Sequence, residues 1–408
     1  MNKIEQLIVK LCPNGVEFKS LGDIGTFIRG TGLSKSDFVD FGVGCIHYAE
    51  IHTYYGTFTT QTKSFVSPSL AKKLKKAKKG NLIIAGVSEN VEDVCKAVAY
   101  LGEEEICISG DSFAYAHKEN PRYIAYLFQT SNFLNFKKQY AYGAKVTRLN
   151  IEDLKNFRIP IPPLEIQEEI VRILDNFSEL TAELTAELTA RKKQYEYYRN
   201  TLLDFGDESK PKNGVKFKRL GEIGKACMCR RILKSQTQDI GEIPFYKIGS
   251  FGSKPNSFIS RELFEEYKSK YPYPKKGDVL ISASGTIGKR VIFDGKDAYY
   301  QDSNIVWIDN DETQVLNKFL FYLYSKITWN STSGGTITRL YNKDLVEMII
   351  PIPPLETQQR IVDILDRFEA LTSDYQEGLP AEIEARTKQY EYYRDKLLDF
   401  KELESENV

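Results

Sequence analysis

The sequence predicts an α+β protein in which two mixed α/β domains are separated by two long helical regions that pair as an antiparallel coiled coil, as a pseudo-twofold internal repeat. Three observations carry this. IPIPPLEIQEEIVRILDNFSELTAELTAELTARKKQYEYYRNTLLDF, Ile159 to Phe205, returns from Ile350 to Phe400 as IPIPPLETQQRIVDILDRFEALTSDYQEGLPAEIEARTKQYEYYRDKLLDF. Shorter matched segments keep a nearly constant offset. Between those anchors the two halves differ almost completely, so one frame carries two different surfaces.

The domain frame follows from the matches in order. NGVEFKSLGDIG (Asn14 to Gly25) matches NGVKFKRLGEIG (Asn213 to Gly224), and KKGNLII (Lys78 to Ile84) matches KKGDVLI (Lys275 to Ile281). GAKVTRLNIEDL (Gly143 to Leu154) matches GGTITRLYNKDL (Gly334 to Leu345), leading into the Pro-rich segments. The expected division is 1–158 as a first domain, 159–205 as a helical region, 206–349 as a second domain, 350–400 as a distal helical region and 401–408 as a tail. Each domain mixes β-rich runs (Leu82 to Ala85, Val279 to Ile281, Ser303 to Ile308) with helix-like stretches such as Pro121 to Phe136 and Thr313 to Tyr324.

Pro160, Pro162 and Pro163 dictate an extended approach to the first helical region and place a proline at or near its first turn. Apolar residues then recur at Ile166, Ile170, Ile173, Phe177, Leu180, Leu184, Leu188, Tyr195, Tyr198, Leu202 and Phe205. The steps alternate four and three except at Leu180, Leu184 and Leu188, which reads as a coiled-coil seam with a stutter. About 40 residues at 1.5 Å make a rod of ~60 Å. The distal copy repeats the seam through Tyr390 and Tyr393, but Gly378 and Pro380 fall inside it, so a kink or break is expected near Gly378.

Total charge is zero, with 56 basic and 56 acidic residues, yet its distribution is uneven. Residues 1–157 hold 20 Lys and Arg against 16 Asp and Glu, and 206–350 hold 23 against 17. The helical stretches are acidic: 5 against 9 over 165–205, and 6 against 11 over 351–400. A polyanion should therefore meet the two domains and avoid the helices. No apolar run approaches the ~20 residues needed to span a bilayer and no secretory leader opens the sequence, so a cytoplasmic location is expected. Six scattered cysteines read as buried or free thiols; Cys45, His47 and His52 lack a fourth ligand at a matching spacing.

At PIPPLE followed by the amphipathic helix, the TAEL repeats and RKKQYEYYR, present twice behind dissimilar domains, the whole chain resembles the specificity (S) subunit of type I restriction-modification enzymes. The resemblance implies that the domains are target-recognition domains, each reading one half of a bipartite site on double-stranded DNA. It implies that the helical regions act as spacer and dock two methyltransferase (M) subunits, with endonuclease (R) subunits beyond them in a restricting complex. It implies no catalysis and no cofactor on this chain, with S-adenosylmethionine on the adenine methyltransferase partners. The prokaryotic cytoplasm is then the place of action, with no membrane partner.

The residue reading beside this is physical. TAEL (Thr181 to Leu184, then Thr185 to Leu188) is a four-residue unit whose insertion would lengthen the rod by ~6 Å and rotate its end by ~40°. One base pair turns B-DNA by ~34–36° and advances it ~3.4 Å, so the TAEL count is expected to set the spacer. Candidate DNA-binding residues in the first domain are Arg29, Thr31 and Lys35 in a Gly-rich turn, Ser88 and Asn90 after a strand, and Lys145 with Arg148. In the second they are Arg230, Arg231 and Lys234; Ser284, Thr286 and Lys289; Gln301 with Asn304; and Thr336, Thr338 and Arg339. Arg148 and Arg339 share the TRL motif, which suggests scaffold or phosphate contact over half-site readout. Lys72 to Lys79, KKLKKAKK, is the densest cation cluster and would be a phosphate-steering patch or a solvated helix face. Leu180, Leu184, Leu188, Tyr195, Tyr198, Tyr390 and Tyr393 are the expected spacer and partner-docking positions.

No GxGxxG after a strand, no Walker loop and no Asn-Pro-Pro-aromatic motif is present. The rival to a DNA reader is a coiled-coil adaptor without DNA sequence specificity.

Overall fold

A computed structural model describes residues 3–329, 339–374 and 377–403. The chain forms two compact units, one made of Met1–Thr185 with Glu382–Val408 and the other of Ala186–Ala381.

In the first unit the shared NGVEFKS segment becomes a strand, Phe18–Ser20, paired antiparallel with Arg158–Pro160, the strand that leads into the helix. Ser20 then starts the short helix Leu21–Ile24 through reciprocal bonds with Asp23, a capping box. One five-stranded sheet runs in the order Gly25–Arg29, Ser112–His117, Leu82–Ala85, Ala97–Tyr100, Phe58–Thr59. A second runs Phe38–Val39, Ser64–Val66, Val43–Ile46, Ile106–Ile108, Lys76–Ala77. Leu82–Ala85 is buried along its whole length, which explains its continuous apolar run. The stretch expected to be helical from Pro121 is two helices, Pro121–Leu127 and Ser131–Tyr140, each begun by a side-chain cap, Asn120 and Thr130.

The second unit repeats this frame with fewer strands among the described residues. Lys216–Arg219 pairs antiparallel with Ile349–Ile352. A four-stranded sheet runs Gly224–Cys227, Ile305–Asn310, Val279–Ser282, Arg290–Ile292, and a three-stranded one Phe258–Ile259, Ile243–Tyr246, Tyr299–Tyr300. The parallel pairing of Val43–Ile46 with Ile106–Ile108 in the first unit has its counterpart in Ile243–Tyr246 with Tyr299–Tyr300.

Leu164–Leu202 is one uninterrupted helix of 39 residues. The distal region is two helices, Leu355–Ser373 and Leu379–Leu397, as Gly378 and Pro380 require. A Cβ on Gly378 would stand 2.5 Å from the Ala370 carbonyl oxygen and 2.7 Å from that of Asp374, so only glycine fits this close approach. Pairing between the helical copies follows a pseudo-twofold rule. In the first unit Phe177 stacks on Tyr393, and in the second Phe368 stacks on Tyr198, both at 5.5 Å. The early phenylalanine of each copy thus meets the late tyrosine of the other, which is antiparallel pairing.

The expected stutter is absent from the burial pattern. Phe177, Thr181 and Leu184 in the first unit, and Leu188, Arg191 and Tyr195 in the second, are half-buried at regular steps, while Leu180 is 37% exposed. Thr181 holds the seam in place of Leu180 because its hydroxyl donates to the Phe177 carbonyl oxygen at 2.9 Å, leaving no unpaired polar group inside.

Each domain is fastened to its helix by the same set of atoms. Gln167 and Gln358, the last residues of PPLExQ, are both fully buried. The Asn120 N–H donates to Gln167 Oε1 at 3.0 Å, and Gln167 Nε2 donates to the Pro162 carbonyl at 2.8 Å. The Leu316 N–H donates to Gln358 Oε1 at 2.9 Å, and Gln358 Nε2 donates to the Pro353 carbonyl at 2.7 Å. Two turns along, Tyr126 donates to Asp175, which also pairs with Arg122. Tyr322 donates to Asp366, which also pairs with Lys318.

Candidate DNA interface

The loop that follows the central strand of each domain meets the TRL arm, and most of the sequence-predicted residues collect there. In the first unit Thr147–Arg148 pairs with Val87–Ser88; in the second Arg339 bridges to Ser284. The backbone of Thr147–Arg148, and that of Arg339, thus holds the loop, while the Arg148 side chain stays exposed.

Two grooves flank that junction in the first unit. One, about 360 Å³, brings Arg29 and Arg148 together with Lys155, Asp111 and Tyr142. Arg29 ends its strand and is steadied by a 3.3 Å bond from Nε to the Gly110 carbonyl. The other, about 470 Å³, joins Ser88, Asn90 and Lys145 with His52. His52 Nε2 bonds the Val87 carbonyl at 3.0 Å, and its buried Nδ1 has no hydrogen-bond partner among the described residues. Asn90 makes a turn with Asp93, through Asn90 Oδ1 accepting at 2.7 Å. Thr31 faces inward instead: its hydroxyl oxygen accepts from the Lys75 N–H at 3.0 Å. Lys35 is exposed on a short 3₁₀ turn, Lys35–Asp37.

The second unit uses several predicted residues on each other. Ser284 is buried and donates to Asn304 Oδ1 at 2.7 Å, which also accepts from Arg339 Nη2 at 3.3 Å. Gln301 Oε1 accepts from the Ile248 N–H at 3.0 Å. Thr286 and Lys289 stand exposed on the turn beside this cluster, and Arg231 and Lys234 are exposed on a separate loop. Arg230 lies over the Tyr271 ring at 5.3 Å. Thr336 and Thr338 lie outside the described residues.

The Lys72–Lys79 cluster is neither a helix face nor free of acids. It crosses the short strand Lys76–Ala77, where Lys76 and Lys78 pair with Glu105 and Lys79 with Glu103. Those ion pairs cancel part of its pull on phosphate. The helical tyrosines serve the chain itself: Tyr195 and Tyr198 pack on Phe368, Tyr393 on Phe177, and the Tyr390 hydroxyl donates to Gln129 Oε1 at 2.8 Å. Leu184 and Leu188 are half-buried.

The grooves offer hydrogen-bond donors, amides and cations, with the carboxylates of Asp111, Glu152, Glu89 and Asp93 among them. Among the described residues no cluster of His, Cys, Asp and Glu could hold a metal ion. Burial pushes the Cys45 thiol up to about 12, far from a thiolate, and His47 caps a helix by accepting from the Ala49 N–H at 3.2 Å. No helix among the described residues is long and apolar enough to cross a membrane.

The glutamine clamp was missed in the sequence although its motif was visible. Its signal was a glutamine repeated at the offset of the Pro-rich segment, and its role became clear only when Asn120 and Leu316, distant in sequence, arrived beside it.

Comparison with known proteins adds the following. Residues 13–191 and 212–385 match the family described as type I restriction modification DNA specificity domain. A Haemophilus influenzae protein named as a type I restriction enzyme specificity subunit is 54% identical over 291 residues, 69% of this chain and 73% of that one. The specificity subunit of the Escherichia coli enzyme EcoR124I/EcoR124II is 34% identical over 271 residues, 61% of this chain and 65% of that one. Among solved structures, the S subunit of the type I system of M. genitalium covers 94% of this chain and 96% of its own, with TM-score 0.55 and 14% identity. A chain from a structure of type I assembly and conformational transition covers 95% of this chain and 98% of its own, with TM-score 0.58 and 19% identity. At those identities the likeness speaks for the fold.

Proposed function

The chain belongs to the type I restriction-modification DNA specificity family, and from that membership we propose that its two domains read the two halves of a bipartite DNA site for a methyltransferase that this chain does not itself contain. The single observation that carries the reading is the twice-built frame: an equivalent lead-in strand, the same glutamine clamp and a helix that starts in the same way, around loops of different chemistry. A duplicated mount is useful when two unlike surfaces must be presented in the same way. Exposed cations of both domains supply phosphate contact, and the amides and hydroxyls beside them supply base readout.

In this reading two methyltransferase subunits dock on the helical regions and carry S-adenosylmethionine, and endonuclease subunits join in a restricting complex. The modest excess of basic residues in each domain, 20 against 16 and 23 against 17, fits weak binding by the chain alone. The TAEL pair sets the spacer between half-sites.

Base-resolution mapping of N6-methyladenine on DNA exposed to the assembled complex tests this. The expected result is a two-part sequence with a fixed non-specific gap; methylation of one continuous site, or DNA binding indifferent to sequence, overturns it in favour of an adaptor. Inserting one TAEL should lengthen the preferred gap by about one base pair, given the ~40° of helix rotation.

A further inference from the structure

The two domains share one more segment than their obvious matches, and it ends in the most exposed large apolar side chain of each among the described residues. Leu33-Ser-Lys-Ser-Asp-Phe-Val-Asp-Phe-Gly42 lies 199 residues before Ile232-Leu-Lys-Ser-Gln-Thr-Gln-Asp-Ile-Gly241, the offset of Asn14 to Asn213. The folds of the two segments coincide. Leu33 and Ile232 are buried, and Lys35–Asp37 and Lys234–Gln236 are both 3₁₀ turns. Each turn is closed by the same bond, from the Ser34 N–H to Asp37 and from the Leu233 N–H to Gln236, both 2.8 Å. At the far end, a Cβ on Gly42 would stand 2.2 Å from the Val66 carbonyl oxygen, and one on Gly241 2.6 Å from Phe258 Cβ. Both glycines are thus pressed on the equivalent strand, and the residue before each is held outward. Phe41 is 89% exposed and Ile240 86%.

One exposed apolar side chain is ordinary on a protein surface, but two at the same position of a repeated loop braced at both ends mark an interaction point. Its recurrence decides the partner class. The two domains differ where they would read different half-sites, so a feature kept in both faces something that is the same at both. The tips themselves are acidic: Asp40 and Asp239 stand immediately before Phe41 and Ile240, and the cations of the loops, Lys35 in the first and Arg231 and Lys234 in the second, lie six or more residues back. A large apolar side chain with an acid directly before it fits a pocket on a protein better than the phosphate backbone.

We propose that Phe41 and Ile240 are anchors of a docking point for the methyltransferase subunit, one on each domain and additional to the helical regions. The proposal rests on the reading that two copies of that subunit join this chain. Each anchor inserts into the same apolar pocket of one copy.

The test uses the full chain with its methyltransferase subunit, in Phe41→Ser, Ile240→Ser, the double variant, and Phe41→Leu as the conservative control. Native mass spectrometry and titration follow assembly, and gel shift on the mapped duplex follows DNA binding. Because both side chains lie in solvent, thermal unfolding of the free chain should not move. Each single serine variant should weaken one of the two methyltransferase bindings by ~10-fold to 100-fold, the range for loss of one well-packed apolar anchor. It should leave a one-to-one species, while Phe41→Leu assembles nearly as the parent. Assembly unchanged in the double variant overturns the proposal, and loss of DNA retention with intact assembly reassigns the tips to DNA as wedges between base steps. If the unsubstituted chain takes up no methyltransferase, the parent reading fails, and the proposal with it. That result is distinct because variants and parent then behave alike.

Discussion

In the first unit Glu169, one helical turn past the lead-in, accepts from Arg172 and Lys3; in the second its place, 191 residues on, is taken by Arg360. Two residues earlier the same comparison gives glutamine in both, buried in both and bonded to the equivalent backbone groups in both. The two copies agree where a side chain completes main-chain hydrogen bonds inside the joint, and drift where a buried carboxylate is matched only by cations that stand in solvent. A backbone group taken out of water must find a partner, whereas an ion pair whose cations remain hydrated contributes little.

The comparison breaks most severely at the clamp. Gln167→Leu and Gln358→Leu should each cost ~2–5 kcal/mol, because a buried N–H and a buried carbonyl lose their partners. Both tryptophans, Trp307 and Trp329, lie in the second unit. In urea denaturation Gln358→Leu should therefore shift the tryptophan fluorescence transition, and Gln167→Leu only the circular dichroism. A tryptophan transition that responds equally to both would mean that the units do not unfold separately.

The next largest effect tests the helices. Gly378→Ala puts a Cβ against the Ala370 and Asp374 carbonyls and should cost ~1–3 kcal/mol. Glu183→Ala, its counterpart in the uninterrupted helix, should stay within ~0.5 kcal/mol. The tyrosine pair follows: Tyr126→Phe and Tyr322→Phe should each cost ~1–2 kcal/mol, because each hydroxyl donates its one proton to a carboxylate on the helix, that of Asp175 or of Asp366.

The smallest effect belongs to Glu169, whose carboxyl is held down to about 2 by bonds from Arg172 and Lys3 against an ordinary value of 4.5. The folded carboxylate binds its proton more weakly than the unfolded one, so its stabilisation is complete above the ordinary value and is lost as pH falls from 4.5 through about 2. With both cations largely exposed the effect is ~1 kcal/mol. Glu169→Gln should flatten that acid limb in the first unit, measured by denaturation between pH 2 and pH 5, and Arg360→Gln should change no such limb in the second.

The duplicated frame was legible because it is written in runs of near-identity, and the distal break because Gly378 and Pro380 act locally. The seam misled at Leu180, where hydrophobicity points inward and a threonine able to bond its own helix takes the place. Lys35 and Lys234 were legible as exposed cations, but the likeness of their two loops was not, because it is spread over ten residues, with Asp37 and Gln236 making one bond from different side chains. Half-site residues were the least legible. Ser284 and Asn304 look like free donors and acceptors in sequence, yet they satisfy each other and Arg339, and such partners cannot be seen until the chain has folded.

The first unit is made from two pieces of chain, with all of the second unit between them. Leu398 is buried in a core that also contains Ile4 and Ile170, and Val16 bridges to Glu402. On the ribosome the early piece must wait, its groove for Tyr390, Leu397 and Phe400 open to water, until about 200 further residues have been made. The second unit is one continuous run and meets no such delay. Truncation near residue 380 should therefore damage the part of the protein made first, and its aggregation during synthesis would report on an ending that has not yet arrived.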